Sequence, residues 1–195
     1  KTTLIGHKSG NLTITDLHDY ATVFLDGKFV GTIDRGKGES SIKLPASDSK
    51  SPVLEIFVEG MGRINFAQQL IDRKGITERV TLNGMTLMNW EVYCLPMDSA
   101  FIAGLEKSSN LNREGKFFKG TFLLDKTADS FIDMSHYFKG VVWVNGHNLG
   151  RYWHIGPQQR LYCPAPFLKE GVNEIIVFDL LQMEAMPVWG EKSLY

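Results

Sequence analysis

Short apolar runs separated by turn residues recur along the whole chain. Thr2 to Ile5 reads as a strand, and Asn11 to Thr15 alternates polar and apolar side chains, as a strand with one buried face does. Ala21 to Ile33 folds back on itself at Asp26-Gly27, and Val141 to Trp153 does so at Asn145-Gly146. Both dipeptides tolerate positive φ at the two turn centres, so each closes a two-residue hairpin. Ser41 to Leu44 and Val53 to Val58 are further strands. Gly75 to Leu82 and Met85 to Leu95 flank Asn83-Gly84 as a third hairpin. Downstream, Phe117 to Leu124, Phe131 to Met134, Arg160 to Cys163 and Asn173 to Leu181 read as strands, and the tail from Pro187 to Tyr195 offers an edge strand. Pro96 to Ser99 reads as a linker and Ser108 to Gly115 as a polar loop. Ala100 to Ser109 fits a strand or a short helix equally well.

The two principal hairpins stand 119 residues apart, at Gly27 and Gly146, and the same offset joins other positions without a gap. Thr2 and Leu4 fall on Thr121 and Leu123, Pro45-Ala46 on Pro164-Ala165, and Glu55-Ile56 with Val58 on Glu174-Ile175 with Val177. The chain therefore reads as two copies of one β unit. Strand spacing of about ten residues predicts an antiparallel sandwich in each copy. The expected fold is all-β: two antiparallel jelly-roll β-sandwiches, one over residues 1–95 and one over 96–195. Lys116 to Lys119 lead into the strand at Thr121, whereas nothing precedes Thr2. Lys1 is thus expected inside an N-terminally truncated strand, and the chain is expected to be a processed or excised piece.

Composition changes this picture little. Hydrophobic residues make up 43% of the 195, enough for two cores, and a formal charge of −1 favours neither nucleic acid nor an anionic membrane as partner. No apolar run approaches the roughly 20 residues that span a bilayer. Cys94 and Cys163, one per copy, read as ordinary small apolar residues rather than a disulfide framework. The five histidines show no ligand spacing and no Asp-rich loop stands out, so neither a metal nor a cofactor is expected. Gly36-Lys37-Gly38 is a turn, without the ending or the following helix of a phosphate loop.

Longer motifs carry a resemblance. They are GVVWVNGHNLGRYW at 140–153, GPQ at 156–158, LYCP at 161–164 and GVNEIIVF at 171–178, with HDYA at 18–21, DG at 26–27 and GRINF at 62–66. Together they resemble the C-terminal, non-catalytic β-region of glycoside hydrolase family 35 β-galactosidases over nearly the whole chain. The resemblance implies galactose-binding-domain-like sandwiches that accompany a catalytic (β/α)₈ barrel, a fold of about 250 residues that this chain lacks. It further implies that the acid/base and nucleophile carboxyl pair, about 5–5.5 Å apart in a retaining enzyme, resides on that barrel. The chain by itself is then expected to be inactive, with the barrel as its partner. A parent working outside the cytoplasm or in lysosome-like spaces is also implied. The segment Arg63, Asn65 and Phe66 resembles a loop at the active-site rim, where many members carry Tyr in place of Phe66.

Within the chain, Glu55 and Glu174 are expected to face solvent on equivalent strands. Asp16, Asp19, Asp26 and Asp34 are expected to serve turns rather than catalysis. Tyr152, Trp153 and His154 with Tyr162 form the candidate sugar surface, with Gln158, Gln159 and Arg160 as hydrogen-bonding partners. The competing reading has Trp153 and Tyr162 capping the sandwich core. Asp34 and Arg35 replace Trp153 and His154 in the first copy, so any sugar binding belongs to the second. An autonomous galactoside-binding module is the alternative function. A sandwich with an adhesive or purely structural role would share the fold but not the ordered motifs.

Overall fold

The computed structural model describes residues 1–108 and 112–194. Residues 109–111 of the expected loop and Tyr195 of the expected edge strand lie outside the described residues. The chain divides into two compact units, Lys1–Cys94 and Leu95–Tyr195, and each is an antiparallel β-sandwich.

The first unit contains β1 (Thr2–Thr3), β2 (Gly10–Ile14), β3 (Leu17–His18), β4 (Tyr20–Leu25), β5 (Lys28–Asp34), β6 (Ser41–Leu44), β7 (Val53–Glu59), β8 (Gly75–Ile76), β9 (Val80–Leu82) and β10 (Met85–Thr86). One sheet runs β1-β7-β4-β5 and the other β10-β9-β2-β6, with β3 and β8 as a small separate ladder. Alternate residues of the two sheets meet in a core that includes Leu12, Ile14, Val23, Ile33, Leu54 and Leu82. The third hairpin is shorter than expected. β10 stops at Thr86 because Leu87 and Trp90 turn inward onto the core, with Asn89 in the left-handed region at φ 58°.

The second unit contains one helical turn, α1 (Ser99–Ala103), and strands β11 (Lys116–Leu124), β12 (Ser130–Asp133), β13 (Lys139–Val144), β14 (His147–Trp153), β15 (Arg160–Cys163), β16 (Gly171–Asp179) and β17 (Trp189–Glu191). The undecided stretch after Ala100 is thus helical at its start. Asp98 caps it, its carboxylate accepting from Phe101 N at 2.8 Å. The sheets run β11-β16-β13-β14 and β15-β12-β17. Val142 and Val144 point into the core, so Trp143 between them points to the outer face. There it is buried beside Phe117, whose ring lies 4.7 Å from Phe178 and 6.1 Å from Phe101 of α1. α1 thus helps cover an aromatic patch on the outer side of the sheet.

Both hairpin turns carry out the same task. Asp26 Oδ1 accepts from Val53 N at 2.8 Å, and Asn145 Oδ1 accepts from Glu174 N at 2.9 Å. Each turn side chain thereby ties down the start of the neighbouring strand. Val53 and Glu174, however, are 121 residues apart, not 119. The core positions Leu12 and Ile14 correspond to Ile132 and Met134, an offset of 120. The duplication therefore holds, but the ungapped alignment does not. Insertions fall in the loops, and within a strand the buried face fixes the register, because a one-residue slip would turn every core side chain outward. Glu55 pairs with Phe24, whose counterpart Trp143 pairs with Ile176, so Glu55 and Glu174 are not equivalent. Leu4 is in the core while Leu123 is exposed, and Phe122 packs on the second core instead. Both cysteines are free thiols, as expected, and Cys94 is exposed. Cys163 is buried, and burial, with Asp129 nearby, pushes its thiol up to about 11.

Candidate functional site

After β7 the first unit turns through a glycine-rich corner, Gly60 to Phe66, and a 3₁₀ segment, Ala67–Ile71, before β8. The corner lies outside both sheet ladders. Side chains from three other places secure it. Asp19 stands between β3 and β4, its N–H donating to Glu59 O at 3.1 Å and its carbonyl accepting from Arg35 N at 3.0 Å. Arg35 opens a 3₁₀ turn that Asp34 caps by accepting from Gly36 N, so the Gly36-Lys37-Gly38 stretch is a capped turn. Asp72 and Lys74 follow the corner itself.

These side chains converge. Arg35 Nη1 donates to Asp19 Oδ1 at 2.7 Å, and Lys74 Nζ donates to Asp19 Oδ2 at 2.8 Å and to Asp72 Oδ2 at 2.5 Å. Met61 N donates to Asp19 Oδ2 at 2.8 Å. His18 places Nδ1 2.7 Å from Asp72 Oδ1 and Nε2 2.9 Å from Asp16 Oδ1. Arg35 Nη1 lies 2.8 Å from the same Nδ1. Burial opposes ionisation of Asp19, but Lys74, Arg35 and the Met61 N–H outweigh it and hold its carboxyl below the usual range. The bond from Lys74 is the main cause that brings Asp72 down to about 2; desolvation opposes it, and His18 and Arg35 add to it. The Asp72 carboxylate is 5% exposed, covered by its ion-pair partners rather than sunk deep in the unit.

This geometry limits the chemistry. Ligand atoms of His18, Asp19 and Asp72 lie within 4.8 Å of one another, the one such group among the described residues that could hold a metal ion. Lys74 and Arg35 already neutralise its carboxylates, so a cation entering there would have to displace both. Two carboxyl groups this close also suggest a glycosidase pair. That chemistry needs one carboxyl kept protonated by a raised pKa, and here both are lowered. Asp19 is therefore more than a turn residue: it is the buried carboxylate at the centre of a partly exposed ion cluster. Asp16, Asp26 and Asp34 do occupy turns. No sequence spacing signals the cluster, because His18-Asp19, Arg35 and Asp72 with Lys74 come from separate stretches of the chain.

Arg63, Asn65 and Phe66 project from the corner and are exposed, Phe66 by 79%. The residues of the expected sugar surface do not assemble into one face. Tyr152 is 2% exposed, its hydroxyl between Phe178 O and Asp179 Oδ2, each at 2.9 Å. Lys139 Nζ sits 4.5 Å from the centre of the half-buried Trp153 ring. The His154 ring lies 4.4 Å from Phe138. Tyr162 projects from the outer face of the opposite sheet, where its hydroxyl donates to Asp129 at 2.9 Å. Gln158 and Gln159 donate to the carbonyls of Arg160 and His154, and Arg160 pairs with Asp133 at 2.8 Å.

The architecture is that of two antiparallel β-sandwiches of the galactose-binding-like class. Residues 1–96 match the family described as the first all-beta domain of beta-galactosidase, and residues 116–173 match its galactose-binding domain. The chain is 38% identical to human beta-galactosidase-1-like protein 2, over 84% of this chain and 26% of that protein. Beta-galactosidase 1 of Dictyostelium discoideum is 33% identical over 93% of this chain and 30% of its own length. The beta-galactosidase of Xanthomonas manihotis is 34% identical over 83% and 27%. The chain belongs to the β-galactosidase family, of which it represents the accessory all-β domains. It spans about a quarter to a third of the length of these relatives. No helix among the described residues is long and apolar enough to cross a membrane.

Proposed function

We propose that this chain is the accessory region of a glycoside hydrolase family 35 β-galactosidase, packing on that enzyme's catalytic barrel and shaping the entrance to its active site. The observation that carries the proposal is the corner of the first unit. Within one short stretch Ile64, Phe66, Leu70 and Ile71 all expose apolar side chains, Ile71 by 84%. Scattered exposed apolar residues are ordinary, but four in one loop held by an ion cluster favour a contact surface. Arg63, Asn65 and Phe66 are the residues that would stand at the entrance. Gln158, Gln159 and Arg160 each make an internal bond, to Arg160 O, His154 O and Asp133 respectively, so a galactoside would have to use their remaining polar groups.

The test is reconstitution. The barrel-containing remainder of the parent enzyme, produced separately, is mixed with this chain, and complex formation and β-galactoside hydrolysis are followed. A complex with increased activity is expected, weakened by the double substitution Phe66→Asp and Ile71→Asp. A remainder that is fully active and ignores the chain would sink the proposal.

A further inference from the structure

We infer that Asp19 and Lys74 are positioning residues: together they fix the backbone of the corner that presents Arg63, Asn65 and Phe66. The inference rests on the reading of that corner as the edge of the active-site entrance. Three consecutive corner residues are gripped. The Lys74 stem lies against Gly60, where an added Cβ would stand 3.3 Å from Lys74 Cδ. Met61 N donates to Asp19 Oδ2 at 2.8 Å, and Lys74 Nζ reaches Gly62 O at 3.4 Å. Asp19 and Lys74 also join each other at 2.8 Å, so the grip is one connected unit.

The second sandwich supplies an internal control. Its Phe138 and His154 occupy the places of Asp19 and Arg35, and the backbone bond is kept: His154 N donates to Phe138 O at 2.7 Å, as Arg35 N does to Asp19 O at 3.0 Å. There the side chains make a ring contact instead of an ion pair. The blueprint thus closes without charge at this point. Burying ions is costly, and an apolar pair of similar size commonly serves stability as well or better. What the charged version adds is directed hydrogen bonding to the chain after β7, and the first unit is the one whose corner exposes Arg63 to Phe66. Fixed geometry of that kind serves the presentation of a surface.

Hydrogen exchange on the 195-residue chain tests this. Lys74→Met is expected to speed exchange of the Met61 amide by about tenfold or more, while amides of the β4–β7 ladder keep their protection. Lys74→Arg is expected to retain most of the protection. Asp19→Asn, which keeps the side chain's shape, should reproduce the local effect should Lys74→Met fold poorly. An unchanged Met61 amide overturns the inference, and so does an equal loss of protection across the ladder. In the full-length β-galactosidase the same substitutions are expected to raise KM more than they lower kcat. Faster Met61 exchange with unchanged KM would keep the clamp and refute the placement of the corner at the entrance.

Discussion

Asp179, at the end of β16, is the most demanding polar group in the second sandwich. It is fully buried and its two oxygens accept five bonds. Oδ2 takes Phe138 N at 2.8 Å, Lys139 N at 3.2 Å and the Tyr152 hydroxyl at 2.9 Å; Oδ1 takes Leu181 N and Gln182 N, both at 2.8 Å. Asp179→Asn changes one oxygen to an NH₂ group and little in volume. Its remaining oxygen can serve the first set of donors, which leaves the amide hydrogens facing the N–H groups of Leu181 and Gln182. Two stranded backbone donors at about 1–3 kcal/mol each predict a loss of about 4 kcal/mol. For a unit of this size that corresponds to about 20 °C in Tm. Tyr152→Phe removes a single donor and should cost only about 1 kcal/mol. Thermal unfolding followed by tryptophan fluorescence is the assay, because Trp143, Trp153 and Trp189 lie in this unit and Trp90 in the other. A Tm for Asp179→Asn within about 5 °C of wild type would refute the reasoning, since one stranded donor alone should exceed that.

Two further outcomes follow from the same geometry. Asn145 Nδ2 donates to Phe167 O and Asn173 Oδ1, each at 2.8 Å, its Oδ1 accepts from Glu174 N, and its φ is 49°. Asn145→Ala loses these bonds and strains the turn, so urea unfolding should show the second unit weakened by about 2–4 kcal/mol, and an unchanged midpoint would contradict the clamp. Asp72 has a folded-state pKa of about 2, below the ordinary value of 3.8, so its contribution to stability is complete above about pH 4 and is lost as pH falls through 2. Denaturation midpoints of the first unit should fall across that window in the wild type and change less in Asp72→Asn, whereas parallel curves would remove Asp72 from the cluster's energetics.

Much of the fold was legible because hairpin chemistry is local. Asp26-Gly27 and Asn145-Gly146 require positive φ, and the structure gives Asp26 50° and Asn145 49°. The repeat was legible for the same reason, yet its offset was not constant. Sequence identity at Glu55 and Glu174 followed the ungapped offset, while the buried faces of β2 and β12 and the ladder pairing of β7 and β16 followed others. The candidate site divides along the same line. Arg63, Asn65 and Phe66 sit in one contiguous motif, and a motif shows itself in one dimension. Their supports do not: Asp72 and Lys74 flank Arg73 in an unremarkable polar stretch, and only the folded chain brings them to Asp19, more than fifty residues away. The aromatic residues of the expected sugar surface diverge for a related reason. Tyr152 and Tyr162 look alike in sequence, but strand alternation sends one into the core and the other out from the far sheet. Parity along a strand, which one residue can reverse, decides whether an aromatic ring packs a core or meets a ligand. The two copies differ in the same way at the ion cluster: where the second sandwich packs Phe138 on His154, the first spends a carboxylate on Met61 N, and that difference gives the corner after β7 a hydrogen-bonded support.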